Sequence, residues 1–323
     1  MKNLGTFETD DHILHLAWNS DGSRLLATPA TGSILVVGAD VQIFETLPGH
    51  GLGNGESAWF LDQPATCGFD GKVRIGSREW NPGRGLIERV KPTADGKFLA
   101  AAQGKSLNIF DAEGNDSLSL RDLETSVVDF AWNPSRSREV ATVGAGGAML
   151  WRLGQKKPFA RFDWGGASLR VGWSPDGRWL ATGDQTPSVH VYDIPRDHPL
   201  HIQGFEGKVQ ALVFSKDSRQ LATAGSAVVT VWPMTGKKGP DGATPIQIEG
   251  CESPAQALDF SSKGQLAIGD ESGTLLVITF EKGQFRRKRS KLESGISALA
   301  WHPSEPLLAI GHDDGKVMLL SLE

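Results

Sequence analysis

The chain of 323 residues carries many reactive side chains, but few of them stand at the spacings that chemistry requires. Zinc hydrolysis commonly uses His-Glu-x-x-His on one helix face, serine hydrolysis a Gly-x-Ser-x-Gly elbow, and structural metal sites paired cysteines; none of these signatures occurs. The segment "QGKS", Gln103 to Ser106, looks like half a phosphate loop, but Leu99 stands where the first glycine is required and the segment reads as a β-turn. The glycine-rich "GHGLGNGE", Gly49 to Glu56, reads as a connecting loop. His12, His15 and Asp259 are the only hints of converging metal ligands or an acid–base pair. Asp129 and Arg170 occupy one position of successive repeats, so an ion pair explains them better than chemistry does. Cys67 and Cys251 lie far apart in dissimilar contexts and read as two reduced thiols.

Charge offers more than reactivity. In "FRRKRSKLE" the bases Arg286, Arg287, Lys288, Arg289 and Lys291 fall within six residues. On an outer strand such a cluster protects the edge against pairing, and as a surface it would take an acidic partner or nucleic acid. Against nucleic acid, only Phe285 is interleaved and the formal net charge is −5. Hydrophobic residues make up 39% and charged residues 22%, as in soluble globular proteins, and no apolar run approaches the ~20 residues of a membrane helix. The acidic opening "MKNLGTFETDD" lacks the apolar core of a secretory signal, so a cytoplasmic location is expected.

The elements that would position these groups come from an internal repeat. Related segments read "LHLAWNSDGSRLLAT" from Leu14, "VDFAWNPSRSREVAT" from Val128, "LRVGWSPDGRWLAT" from Leu169, "QALVFSKDSRQLAT" from Gln210, "QALDFSSKGQLAIGD" from Gln256 and "SALAWHPSEPLLAIGH" from Ser297. Their anchors are Trp18, Trp132, Trp173, Phe214, Phe260 and Trp301, with gaps of 41, 41, 46 and 41 residues from Trp132 onward. Two further units, one weak and one clearer, fit between Trp18 and Trp132. The anchors read as core, since Trp and Phe exchange at one repeat position. Each unit holds three alternating runs separated by Gly, Asp, Pro and Ser, and most hold a fourth. That pattern predicts short antiparallel strands and a four-stranded sheet about every 40 residues, the mark of a β-propeller blade.

These residues resemble the WD-repeat (WD40) propellers over essentially the whole chain, taken as one domain of residues 1–323. The resemblance rests on the Ser-Pro-Asp-Gly turn at Ser174 to Gly177, the strand "LATG" at Leu180 to Gly183, the pairs Phe110-Asp111 and Tyr192-Asp193, and Gly49-His50. No Trp-Asp pair is present; Trp151-Arg152 and Trp232-Pro233 stand in its place, so the family's Asp-His-Ser-Trp tetrad is expected to be largely absent. The fold expected is all-β: a closed propeller of four-stranded blades, eight favoured and seven the alternative. The N-terminal "KNLGTFE" would complete the last blade beside "GKVMLLSLE" and so close the ring.

The resemblance implies a non-catalytic protein-interaction platform, monomeric by itself and without cofactor or metal. Its docking surface would be the top face, where fourth-to-first and second-to-third strand connections gather. Sorted by that criterion, Asp70, Glu206, Glu252, Asp270, Glu271, Asp313 and Asp314, together with Asp10, Asp11 and Glu293, make the face acidic and fitted to a basic protein partner. Trp164, in "DWGG" where the family has Gly-His, is a candidate anchor there, though a structural turn accounts for it as well. The alternatives are a nucleic-acid-associated adaptor acting through the basic strand, and an enzyme or metal-binding propeller.

Overall fold

The computed structural model describes residues 1–116, 118–281 and 284–322, whose regular elements are antiparallel strands apart from one 3-10 turn at Ile194–Arg196. The alternating runs are the strands, as in "SVHVYD", which forms Ser188–Asp193. The described residues fall into two compact units, one of residues 1–92 with 256–323 and the other of residues 93–255.

Four sheets build the first unit. The strands Ile13–Trp18, Arg24–Pro29, Ile34–Gly38 and Ile43–Leu47 pair in that order, and so do the shorter Ala58–Phe60, Gln63–Cys67, Val73–Ile75 and Arg78–Trp80. A third sheet runs Ala255–Phe260, Leu266–Asp270, Thr274–Glu281 and Gln284–Lys291. In the fourth, Ile296–Trp301, Leu307–His312 and Lys316–Ser321 are joined by Lys2–Glu8, with Lys2 opposite Ser321 and Glu8 opposite Lys316. The N-terminal strand therefore occupies the outer position read from its pattern. Its Phe7 is buried among Leu16, Leu25, Ala309, Val317 and Leu319.

The second unit holds Ala211–Phe214, Gln220–Ala224, Val229–Pro233 and Ile246–Ile248 as one sheet, and a six-stranded sheet that starts at Asp129–Trp132 and ends at His198–Gln203. Among the described residues seven sheets form, which corrects the favoured count of eight blades and agrees with the alternative of seven. The cause lies in Glu139–Arg152 and Ala160–Trp173, each 14 residues long and without a break where other units have turns. The second pairs with Glu139–Arg152 through Ala160 to Ala167 and with Trp179–Asp184 through Ser168 to Trp173, so that two repeat units share one sheet. A second departure concerns the sheet Arg89–Pro92, Phe98–Gln103 and Ser106–Asp111, which has three strands among the described residues. Its outer edge is bridged at Leu107 to Leu120 and at Phe110 to Asp116.

The anchor residues join neighbouring repeats. Trp59 Nε1 donates to the Ala17 carbonyl at 2.8 Å, Trp173 to Ala131 at 3.1 Å and Trp301 to Asp259 at 3.1 Å, each acceptor lying 42 residues earlier. Trp18 reaches the Ala300 carbonyl at 3.1 Å in the same way. Each acceptor immediately precedes an anchor, so the recurring Trp links first strands of consecutive units while its rings fill the core. One such bond contributes ~1 kcal/mol net.

Candidate functional site

The connections between strands, rather than any cleft with reactive groups, gather the charges singled out in the sequence. In the first unit the turns after Leu266–Asp270, before Ile296–Trp301, after Leu307–His312 and before Ile13–Trp18 lie side by side. A Cβ at Gly295 would collide with Asp313 Oδ2 and the Glu271 carbonyl, and Gly315, at φ 84°, faces the carbonyls of Thr9 and Asp11. Backbone bonds tie the row, from Asp313 N–H to Gly295 O at 3.1 Å and from Thr9 N–H to Gly315 O at 3.0 Å. Asp10 Oδ2 takes the Ser33 N–H and Asp11 Oδ2 the Thr31 hydroxyl, both at 2.9 Å. Glu271, Glu293, Asp313, Asp314 and Asp10 are exposed along this row. The bases among them are partly engaged: Lys316 Nζ lies 3.7 Å from Glu293, and Lys291 Nζ donates to Ser272 Oγ at 2.9 Å.

Two residues expected on that surface serve the turns instead. Asp270 is fully buried, and its Oδ1 accepts N–H bonds from Ser272 at 3.0 Å and Thr274 at 2.6 Å and the Ser272 hydroxyl at 2.9 Å. A charge so enclosed offers nothing to a partner, which corrects its assignment. Asp70 is mostly covered; its Oδ1 lies 2.8 Å from His50 Nδ1, while His50 Nε2 meets Thr66 Oγ1 at 3.1 Å. This is the Asp-His-hydroxyl part of the tetrad the sequence was expected to lack. Burial lowers the pKa of His50, against the opposing hydrogen bond and charge of Asp70.

In the second unit Glu206 and Glu252 are exposed in connections that lead into first strands. Trp164 lies within the strand Ala160–Trp173, half-buried rather than at the tip of a turn. Its ring is tilted against His190 at 5.0 Å and His201 at 6.2 Å, and those two imidazoles stack at 4.2 Å. His190 Nδ1 in turn faces the buried Asp184 at 2.8 Å, whose Oδ1 also accepts the hydroxyls of Ser168 at 2.8 Å and Thr182 at 3.1 Å. The other half of the tetrad appears elsewhere in this unit, where Trp151 and Trp232 donate to Thr142 at 2.9 Å and Thr223 at 3.0 Å.

The basic cluster forms the outer strand Gln284–Lys291, with Arg286, Arg287, Lys288, Arg289 and Lys291 all exposed. Arg286 Nε lies 3.2 Å from Glu281. The residues considered for chemistry have other tasks: Asp129 accepts the N–H groups of Phe130 at 2.9 Å and Val171 at 3.1 Å, and Asp259 that of Trp301 at 2.8 Å. Arg170 donates to the Leu169 carbonyl at 3.0 Å. His12 is exposed beside Asp11 at 3.1 Å, while the pKa of His15 is lowered by burial. Among the described residues no group of three or more His, Cys, Asp and Glu could hold a metal ion, and no helix is long and apolar enough to cross a membrane. Sequence reasoning missed His312, which is buried at the end of Leu307–His312. The signal was available: "LAIGH" puts His where "LATGD" and "LAIGD" put Asp184 and Asp270.

Residues 266–323 match the model of the anaphase-promoting complex subunit 4 WD40 domain, and residues 167–193 that of the WD domain, G-beta repeat. The chain is 23% identical over 247 residues to THO complex subunit 3 of Arabidopsis thaliana, covering 74% of this chain and 77% of that protein. It is 28% identical over 255 residues to WD repeat-containing protein WRAP73 of Mus musculus, covering 73% and 52%. Against actin-related protein 2/3 complex subunit 1A of Arabidopsis thaliana it is 27% identical over 161 residues, covering 46% and 41%. The match thus spans about half or less of the latter two proteins. Among solved structures, the computationally designed Ika8 protein superposes with a TM-score of 0.83 at 18% identity, covering 100% of both chains, a likeness of fold alone.

Proposed function

The chain belongs to the WD40-repeat β-propeller family, and we propose that it serves as a non-catalytic platform on which a protein with a basic surface docks. One observation carries this reading: Glu271, Glu293, Asp313, Asp314 and Asp10 are exposed on adjoining connections of a single compact unit, with few bases among them. Such a row attracts a cationic surface over the ~8 Å screening length of physiological salt and accelerates encounter. Two of the similar proteins are by name subunits of the THO and actin-related protein 2/3 complexes, which favours a protein partner. In the second unit, Glu206 and Glu252, exposed on connections, and the exposed part of Trp164 on its strand are candidates for a contact of that unit's own. The chain acts as a monomer in this reading, without cofactor, and in the cytoplasm, where Cys67 and Cys251 stay reduced.

The test is the association rate of the partner captured from the native host, measured at two salt concentrations. Replacing Glu271, Glu293, Asp313 and Asp314 with Ser or Asn should slow association at low salt and abolish most of its salt dependence, with the melting curve unchanged. The outer strand Gln284–Lys291 is the competing surface, since its five bases suit an acidic protein or nucleic acid. If the acidic variant associates like wild type while replacement of Arg286 to Arg289 abolishes binding, the docking surface is that strand and the present assignment is wrong.

A further inference from the structure

Leu52 is the most exposed large apolar side chain among the described residues, at 75%. It stands in the fourth-to-first connection from Ile43–Leu47 to Ala58–Phe60, within the unit of residues 1–92 and 256–323. The backbone imposes that exposure. Gly53 N–H donates to the His50 carbonyl at 2.8 Å, so Gly51 and Leu52 form the tip of a tight turn. His50 and Asn54 bracket the turn and are buried. Asn54 Nδ2 donates to the carbonyls of Pro29 at 2.9 Å and Gly32 at 3.1 Å, and its Oδ1 takes the His50 N–H at 2.8 Å. An apolar side chain presented on so fixed a turn loses little freedom when a partner covers it.

Two further apolar side chains adjoin it. Phe69 lies in the second-to-third connection between Gln63–Cys67 and Val73–Ile75; its N–H donates to the Gly53 carbonyl at 2.9 Å, and its ring lies 3.0 Å from where a Gly53 Cβ would stand. Leu86, 51% exposed in the next fourth-to-first connection, precedes Ile87, whose N–H donates to the Gly68 carbonyl at 3.1 Å. Single exposed apolar residues are ordinary, but several on adjoining segments inside a polar rim mark a contact surface. The rim does not choose a charge: Lys72 and Arg74 lie 2.6 and 2.9 Å from Glu79, Arg89 lies 3.2 Å from Glu56, and Arg84 and Glu88 add one exposed charge of each sign.

The patch is continuous with the acidic row. A Cβ at Gly49 would collide with the Gly32 carbonyl, and one at Gly32 with Asp10 Oδ2. The turn that presents Leu52 therefore rests on the turn bonded to Asp10, where the row ends. We propose that Leu52, Phe69 and Leu86 are the apolar anchor of the docking surface, and that its occupant is an exposed segment of the basic partner in which large apolar side chains stand next to lysine or arginine. The apolar side chains seat on the anchor and hold the complex, while the cations lie along the row and speed encounter. The inference rests on the reading of the acidic row as a docking surface and adds to it the residues that slow dissociation.

The experiment follows the backbone amides of the full ¹⁵N-labelled chain by NMR. The probes are three capped synthetic peptides: a leucine-rich stretch followed by a lysine-rich one, the same peptide with serine for leucine, and the same with glutamate for lysine. The leucine–lysine peptide should shift the amides of Leu52, Phe69 and Leu86 together with those of Glu271 and Asp313, saturably and with one Kd. The serine peptide should move only the row and bind about tenfold more weakly, and the glutamate peptide should leave the row unmoved. Leu52→Ser with Leu86→Ser should weaken the leucine–lysine peptide by about tenfold and leave the serine peptide unaffected, with an unchanged melting curve because both side chains are exposed. If the row shifts while Leu52, Phe69 and Leu86 stay silent, or the double variant binds the leucine–lysine peptide like wild type, the anchor is lost and the acidic docking surface stands. If the anchor responds but the acidic-row variant binds that peptide like wild type, or the glutamate peptide binds as tightly, the row is lost and the joined surface with it. No saturable shift with the leucine–lysine peptide overturns the anchor.

Discussion

Trp173 tests the linkage between repeats in the most direct way. Its side chain is 7% exposed, and its Nε1 donates to the Ala131 carbonyl of the preceding unit at 3.1 Å. Trp173→Phe keeps an aromatic ring at a repeat position that Phe214 and Phe260 already fill, both at 5% exposure or less. It removes the donor and part of the ring volume. The lost bond costs ~1 kcal/mol and the smaller ring about as much again, for a total of about 2 kcal/mol. Trp173→Ala removes the ring as well and should cost about 3–5 kcal/mol. In a chain of this size each kcal/mol lowers the melting temperature by about 2 °C, so calorimetry should find drops of about 4 °C and about 6–10 °C. A Phe variant that melts with wild type would show that the indole bond contributes nothing. A Phe variant as weak as Ala would show that indole shape, not merely an aromatic ring, is required.

Two further outcomes follow from the same geometry. Deleting residues 1–9 removes the partner of Lys316–Ser321 and the buried Phe7, so the chain should melt several degrees lower or aggregate through the bared edge; an unchanged melting curve in light-scattering-clear solution would contradict the pairing. The pKa of His50 is lowered by burial, so below about pH 6.5 the unfolded chain takes up a proton that the folded chain refuses, and stability falls on acidification at up to ~1.4 kcal/mol per pH unit until the folded value is reached. Denaturant titrations between pH 7.5 and 5 should therefore show a shallower loss for His50→Gln than for wild type, whereas identical slopes would mean that His50 titrates alike in both states.

Much of the fold was legible because strand alternation and the anchor position are local patterns that tertiary packing reinforces. Lys2–Glu8 could be placed beside the last strand since its alternation matched an outer strand. The merging of two units into one sheet was not legible: "ARFDW" reads as the fourth run of one unit and "LRVGW" as the first of the next, and only the pairing of Ala160–Trp173 with Glu139–Arg152 on one side and Trp179–Asp184 on the other shows them as one strand. The candidate surface was legible as charge but not as exposure. Asp270 and Glu271 are sequence neighbours of like charge, yet one is sealed by the N–H groups of its own turn and the other faces solvent. Trp164 illustrates the same limit, since its half-buried state depends on His190 and His201, strands away in the chain. His312 escaped notice because a single His at a strand end carries no motif; only its unpartnered Nε2 marks it.

The central claim, that a partner docks on the acidic connections of the first unit, is tested most directly by carboxyl footprinting of the captured complex with carbodiimide and a labelled amine. On complex formation Glu271, Glu293, Asp313 and Asp314 should lose reactivity, while Asp40 and Glu45, exposed at and beside the outer strand Ile43–Leu47, keep theirs. Undiminished labelling of all four carboxylates in a complex whose partner remains bound would contradict the account.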